Sequence, residues 1–172
     1  MDYHDFKFTL ITTGGTIDKI YGTGLGIQDL HIGDPVAPTI LKRMLNIHQF
    51  NHFEACRKDS LEMDDSDRWV ICEYVCCAKT DNILITHGTD TMVETAKMIK
   101  EHLGVSWKRV VLVGASQPAS MVGSDASARI GYALAVLMMS SDPGIIIAMD
   151  GIHTNPDLCQ KNDSGIFRSF RG

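Results

Sequence analysis

No cluster of lysine or arginine appears anywhere in the 172 residues, and the formal charge is -5 at pH 7. A chain without a basic stripe lacks the electrostatic footprint of a nucleic-acid or acidic-membrane binder. Long apolar runs are missing too, and no window approaches the roughly 20 residues that a transmembrane helix requires. The opening MDYHDFKFTLITTGG carries acid where a signal peptide carries positive charge, and it contains no apolar h-region. These absences lead to the expectation of a cytoplasmic protein whose partner is a small molecule, with no nucleic acid and no membrane.

Paired cysteine spacing is absent as well. The five cysteines, Cys56, Cys72, Cys76, Cys77 and Cys159, are odd in number and form no CxxC pair, which argues against a disulfide framework or a zinc site. Cys72 and Cys76, one helical turn apart, are expected as reduced thiols facing the core. His31, His48 and His52 are too scattered to act as ligands, so no metal is expected. Repeats, low-complexity tracts and linkers are also missing. With 44% hydrophobic and 22% charged residues, residues 1–172 read as one globular domain.

What is present is an alternation. Nearly continuous β-branched runs at FKFTLI (6–11), NILIT (82–86), RVVLVG (109–114) and GIIIAM (144–149) suit strands covered on both faces, with HFEACRK (52–58) a weaker fifth. Helical stretches separate them, at Pro38 to Ile47, Asp64 to Lys79, Thr91 to Leu103 and Ser124 to Ser141. In the second of these, Trp69, Cys72, Val75, Cys76 and Lys79 recur at helical spacing. The order predicts an α/β domain with a mostly parallel sheet flanked by helices, a Rossmann-like three-layer arrangement with right-handed crossovers.

In such sheets ligands bind beyond the carboxyl ends of the strands. The segments that follow the strands are TTGGT, DSLEM, HGTDT, GASQPAS and DGIHTNPDLCQK, so hydroxyls, carboxylates and glycines collect at one edge. TTGGTI is not a dinucleotide fingerprint, because GxGxxG is missing, and no Walker lysine follows it. No cofactor is expected. Adjacent glycines instead permit positive φ and close backbone approach to a substrate oxygen, as an oxyanion site requires.

A threonine hydroxyl needs a neighbouring base before it becomes nucleophilic. Thr89 beside Asp90, and Lys161 in the loop beyond the fifth strand, could complete a relay with Thr16 if burial keeps the lysine partly neutral. Read singly, Asp90 could equally cap the following helix, Thr89 fill a turn and Lys161 carry a solvated charge.

TTGGTI followed by a tyrosine, then DSLEM, ITHGTDTMVETA and VLVGASQP, resembles in this order the bacterial-type L-asparaginase and glutaminase-asparaginase family. The likeness runs from about Thr12 to Lys161 and corresponds to the N-terminal domain of those enzymes, as in short-chain members. It implies that Thr16 is the nucleophile, with Tyr21 from a lid spanning Asp18 to Gly24. Thr89, Asp90 and Lys161 complete the catalytic set that it implies. Gly15, Asp59, Ser60, Leu61, Gly88, Thr89 and Asp90 form the implied substrate-binding set, and amides near Gly15 and Thr89 are the implied oxyanion donors. Leu61 stands where many members carry a polar residue, and Glu62 replaces the usual aspartate before the methionine. The implied reaction is hydrolysis of L-asparagine to L-aspartate and ammonia through a threonine acyl-enzyme, in a homo-oligomer. A glutaminase, another small amidase and a non-catalytic asparagine or aspartate sensor are the alternatives.

Overall fold

A computed structural model describes residues 6–22, 30–44, 46–104 and 107–170. Each continuous apolar run becomes a buried strand. β1 (Phe8–Gly14), β5 (Asn82–Thr86), β6 (Arg109–Val113) and β7 (Gly144–Met149) lie parallel in the sheet centre, with β4 (Phe50–Lys58) parallel to β1 at its edge. Position in the sheet explains why β4 is faint in sequence: Asn51 to Glu54 are exposed, whereas all seven residues of β1 are buried. β1 also runs on through Thr12 and Thr13, which are strand residues and not part of the turn.

The strand order is β4-β1-β5-β6-β7-β8, where β8 (Ile152–Thr154) is antiparallel to β7. The chain leaves β1 in one direction and passes to β5 on its other side, so the topological switch point falls between β1 and β5. Crevices at such points are where ligands bind in doubly wound sheets.

Among the described residues, four helices cover the sheet: α1 (Ala37–Met44), α2 (Asp65–Cys77), α3 (Met92–Leu103) and α4 (Ala126–Met139). α2 starts at a capping box, with the Asp64 carboxylate accepting from the Asp67 N–H and the Asp67 carboxylate accepting from the Asp64 N–H. α1 ends earlier than the periodicity suggests, because Asn46 adopts φ 52° and the Ile47 N–H turns back to the Leu41 carbonyl. The buried face of α2 is Arg68, Ile71, Cys72 and Val75. Trp69 and Cys76, expected on that face, are exposed. The face is rotated by about one residue, since Arg68 turns inward to donate to the Met63 carbonyl.

The right-handed default fails at one crossover. α2 packs on α3, while α4 packs on α1, on the other side of the sheet. α3 and α4 both join neighbouring parallel strands in the same direction across the sheet, so lying on opposite faces gives their crossovers opposite hands, and the departure from the rule is the one through α4. The 114–125 segment makes this possible by passing over the carboxyl edge. It is tied there by Ala119 N–H to the Ile17 carbonyl at 3.0 Å and by Ser120 Oγ to the Lys19 carbonyl at 3.0 Å.

Two short hairpins complete the described chain: β2 (Lys19–Tyr21) with β3 (Leu30–Ile32), and β9 (Cys159–Lys161) with β10 (Phe167–Ser169). Lys161 therefore sits at the end of a strand and not in a loop. β7 turns into β8 through Asp150 and Gly151, both at positive φ (52° and 79°), a two-residue turn of the primed kind. Among the described residues no helix is long and apolar enough to cross a membrane, and no group of His, Cys, Asp or Glu could hold a metal ion.

Candidate active site

Three segments meet at the switch point. β1 empties through Gly14 and Gly15 into a 3-10 turn, Thr16–Asp18. β4 empties into a second such turn, Ser60–Glu62, capped by the Asp59 carboxylate, which accepts from the Leu61 N–H. β5 empties into His87, Gly88, Thr89 and Asp90, ahead of α3.

The glycines let these segments touch backbone to backbone. A Cβ on Gly15 would lie 2.5 Å from the Gly88 Cα and N, and one on Gly88 would lie 2.6 Å from the Ser60 Cβ and Oγ. Gly15 also holds φ 84°, where a side chain is strained. Its N–H donates to the Lys58 carbonyl at 2.9 Å. Of the two amide regions expected to face a developing oxyanion, the Gly15 N–H is thus committed to the backbone.

Ser60 is 1% exposed. Its Oγ accepts from the Asp90 N–H at 3.3 Å, and its carbonyl accepts from Thr91 Oγ1 at 2.8 Å. Asp90 does not cap α3, because the residue at that position is Thr91, which makes no side-chain capping bond. Lys161 claims the Asp90 carboxylate instead: Nζ lies 2.5 Å from Asp90 Oδ1 and 2.9 Å from Thr89 Oγ1. An ion pair, in place of the expected isolation by burial, is the setting of this lysine.

The structure thus joins Thr89, Asp90, Lys161, Ser60, Gly88 and Gly15. It does not join every expected residue. Thr16 Oγ1 has no hydrogen-bond partner among the described residues. Tyr21 stands on β2, 56% exposed, and its strand partner is Leu30. Part of the expected lid, Thr23 and Gly24, lies outside the described residues. Leu61 is 73% exposed. Asp59 pairs with Lys19 at 2.6 Å. Burial pushes the Asp59 carboxyl up, but bonds from Lys19 and from the Leu61 and Ser60 amides outweigh it and hold it below the usual range.

Several supports escaped the sequence reading. His87 is fully buried between Gly88 and Thr95, with Nδ1 2.7 Å from the Gly88 carbonyl and Nε2 2.9 Å from Thr95 Oγ1. A carbonyl can only accept, so Nδ1 carries the proton and the Thr95 hydroxyl donates to Nε2. Burial lowers its pKa to about 4, which keeps the ring neutral. Asp18, two residues beyond Thr16, accepts the Val36 N–H on Oδ1 at 2.8 Å, while Oδ2 is buried without a partner. Burial raises its pKa to about 7. Arg129 gathers Asp125, Asp150 and Ser116 behind the 114–125 segment. For the β7–β8 turn, the sequence signal is the Asp150-Gly151 dipeptide.

Fold and site define a doubly wound α/β domain with a threonine, lysine and carboxylate cluster at its switch point. The chain belongs to the asparaginase family: residues 7–172 match the family described as Asparaginase, N-terminal. It is 33% identical to L-asparaginase 2 of Escherichia coli, over 93% of this chain and 48% of that protein. It is 31% identical to a probable periplasmic L-asparaginase of Haemophilus influenzae, over 84% of this chain and 43% of that one. Among solved structures, the probable cytoplasmic L-asparaginase of Campylobacter jejuni superposes with TM-score 0.76 at 25% identity, covering 95% of this chain and 52% of that one. The thermostable L-asparaginase of Thermococcus kodakarensis gives the same score at 23% identity, over 95% and 51% of the two chains, a likeness of fold. The chain spans about half the length of these relatives or less.

Proposed function

We propose that this chain is the catalytic domain of an amidohydrolase that converts L-asparagine to L-aspartate and ammonia. The observation that carries the reading is the Lys161 bond to Thr89 Oγ1 and Asp90 at the crevice that also receives the Thr16 turn. Thr16 Oγ1 attacks the side-chain amide carbon, and its proton passes to the leaving nitrogen, which departs as ammonia. Water then attacks the resulting ester, returning L-aspartate and the Thr16 hydroxyl. Thr89, hydrogen-bonded to Lys161, is suited to moving the proton in either step, and amides of the switch-point turns would face the developing oxyanion. Tyr21 would close over the substrate from the β2–β3 hairpin, and residues 1–172 would act as one catalytic unit.

Ammonia release from asparagine and glutamine, by the wild type and by Thr16→Ala, tests this. The reading fails if the wild type releases none above a blank, and the nucleophile assignment fails if Thr16→Ala keeps full activity. We further propose a cytoplasmic homo-oligomer. Exposed Trp107, Val122 and Phe170 support association, and sedimentation of a monomer at assay concentration would refute it. Cell fractionation tests the compartment.

A further inference from the structure

Asp18 takes no part in the reaction described above, yet it closes the turn that carries Thr16. Its N–H donates to the Gly15 carbonyl at 3.1 Å, so the two ends of the turn are bonded across the nucleophile. Its carbonyl accepts the Gly33 N–H at 2.8 Å, and its Oδ1 accepts the Val36 N–H at 2.8 Å. Val36 leads directly into α1, and its own carbonyl accepts the Thr39 and Ile40 N–H groups. α1 is anchored apart from the site, through buried Ala37, Ile40 and Leu41 and its packing on α4. One side chain thus ties the Thr16 turn to a helix seated in the core. From the other side the turn is held by backbone alone, with the Ala119 N–H on the Ile17 carbonyl at 3.0 Å.

The tie is made by a group ill suited to its surroundings. Asp18 is 2% exposed, its Oδ2 is buried without a partner, and among the described residues no cation bonds its carboxyl. The charges that reach it from β4 are Arg57, already bonded to Glu54 and Asp34, and Glu54 itself. Lys19, the next residue, is paired with Asp59. A carboxyl buried with one hydrogen bond and no counter-ion subtracts from stability, whereas an apolar residue of similar size does not. Such exceptions collect at functional positions, and this one lies two residues from the nucleophile.

We propose that Asp18 is a positioning residue for Thr16: its carboxyl grips the residue that leads into α1 and so fixes the turn where the Thr16 hydroxyl reaches the amide carbon. A nucleophile displaced by about 1 Å loses on the order of 10²-fold in rate, so a residue that touches no substrate can govern kcat. Ser60 and Asp90 stand on other turns, and substrate binding survives the loss of Asp18. The inference rests on the asparagine reading for the reaction.

Asparagine kinetics and thermal melts at pH 8 compare the wild type with three variants. Asp18→Asn keeps the acceptor, Asp18→Leu removes it at similar size, and Val36→Pro removes the donor while leaving the carboxyl in place. In Asp18→Leu and Val36→Pro, kcat should fall about 10- to 100-fold with KM within about threefold of the wild type, whereas Asp18→Asn should keep kcat within about threefold. Asp18→Leu should melt no lower than the wild type, because it also removes the unpaired carboxyl. A purely structural Asp18 gives the reverse, an Asp18→Leu protein that melts lower or does not fold and a Val36→Pro protein with unaltered kcat, and that result overturns the proposal. An equal kcat loss in Asp18→Asn and Asp18→Leu, or a KM that rises in step, overturns it too. The β-4-nitrophenyl ester of L-aspartate reads the placement of Thr16 without amide hydrolysis, since the Thr16 oxygen bonds the acyl carbon and 4-nitrophenolate leaves. Phenolate release that is lost in Thr16→Ala and falls in Asp18→Leu, in a protein whose wild type releases no ammonia from asparagine, would sink the hydrolase reading and leave this one standing. Undiminished release in Asp18→Leu overturns this one alone.

Discussion

Lys161 Nζ donates to Thr89 Oγ1 at 2.9 Å across 72 positions of sequence, joining the end of β9 to the turn after β5. The same ammonium bonds Asp90, so one cation orders two side chains of the candidate site. Lys161→Met should lower ammonia release about 10²- to 10⁴-fold, the usual contribution of positioned proton transfer, while leaving the melting curve cooperative. Initial rates beside a thermal melt check it; a variant within threefold of the wild type removes Lys161 from the mechanism.

Gly15 tolerates no side chain. Its Cβ would lie 2.5 Å from the Gly88 backbone, and its φ of 84° with ψ of -174° falls in a region open essentially to glycine, at a cost of about 1–3 kcal/mol for any other residue. Gly15→Ala should therefore destabilise the fold by about 2–4 kcal/mol and abolish most activity, because backbone cannot move aside as a flexible side chain can. Urea unfolding measures this.

Asp18 and His87 set opposing pH dependences of stability. The Asp18 pKa, about 7 when folded against an ordinary 3.8, means that the unfolded chain loses this proton first. Stability from Asp18 is thus lost as pH rises from about 4 to about 7 and then levels off. His87, lowered by burial from 6.5 to about 4, does the reverse: the unfolded chain takes up the proton, and stability is lost as pH falls through that interval. Asp18→Asn should gain more in melting temperature at pH 8 than at pH 4, relative to the wild type. An equal effect at both pH values would show that Asp18 does not titrate in this range.

Arg129 holds Asp125 and Asp150 together beneath the segment that carries the chain over the sheet edge. Bonds from Arg129 and from the Ser116 and Gln117 amides overcome burial to hold the Asp125 carboxyl below the usual range. Arg129→Ala leaves the partly buried Asp125 and Asp150 carboxylates without their shared cation. A loss of about 1–3 kcal/mol is expected, or a fall in Tm of several degrees for a chain of this size. Calorimetry checks it.

The central strands were legible because burial on both faces leaves uninterrupted runs such as Ile83 to Ile85 and Val110 to Val113, whose signal does not depend on partners. β4 was fainter because an edge strand needs fewer apolar residues. The short β2, β3, β9 and β10 pairs were invisible, since three-residue strands carry no periodicity. The twist of α2 that buries Arg68 and exposes Trp69 follows from a carbonyl at Met63, which no heptad count contains.

The sequence by itself determined the α/β alternation, the chemistry gathered after each strand and the motif order that marks the family, because these depend on local composition and on residues close in the chain. Only the tertiary structure decided that the α4 crossover takes the other hand, that Lys161 rather than a helix end claims Asp90, that the Gly15 amide is spent on Lys58, and that Lys19 pairs with Asp59. Each of these is a contact between segments brought together by the packed sheet. Their energies depend on distances that the order of residues does not encode.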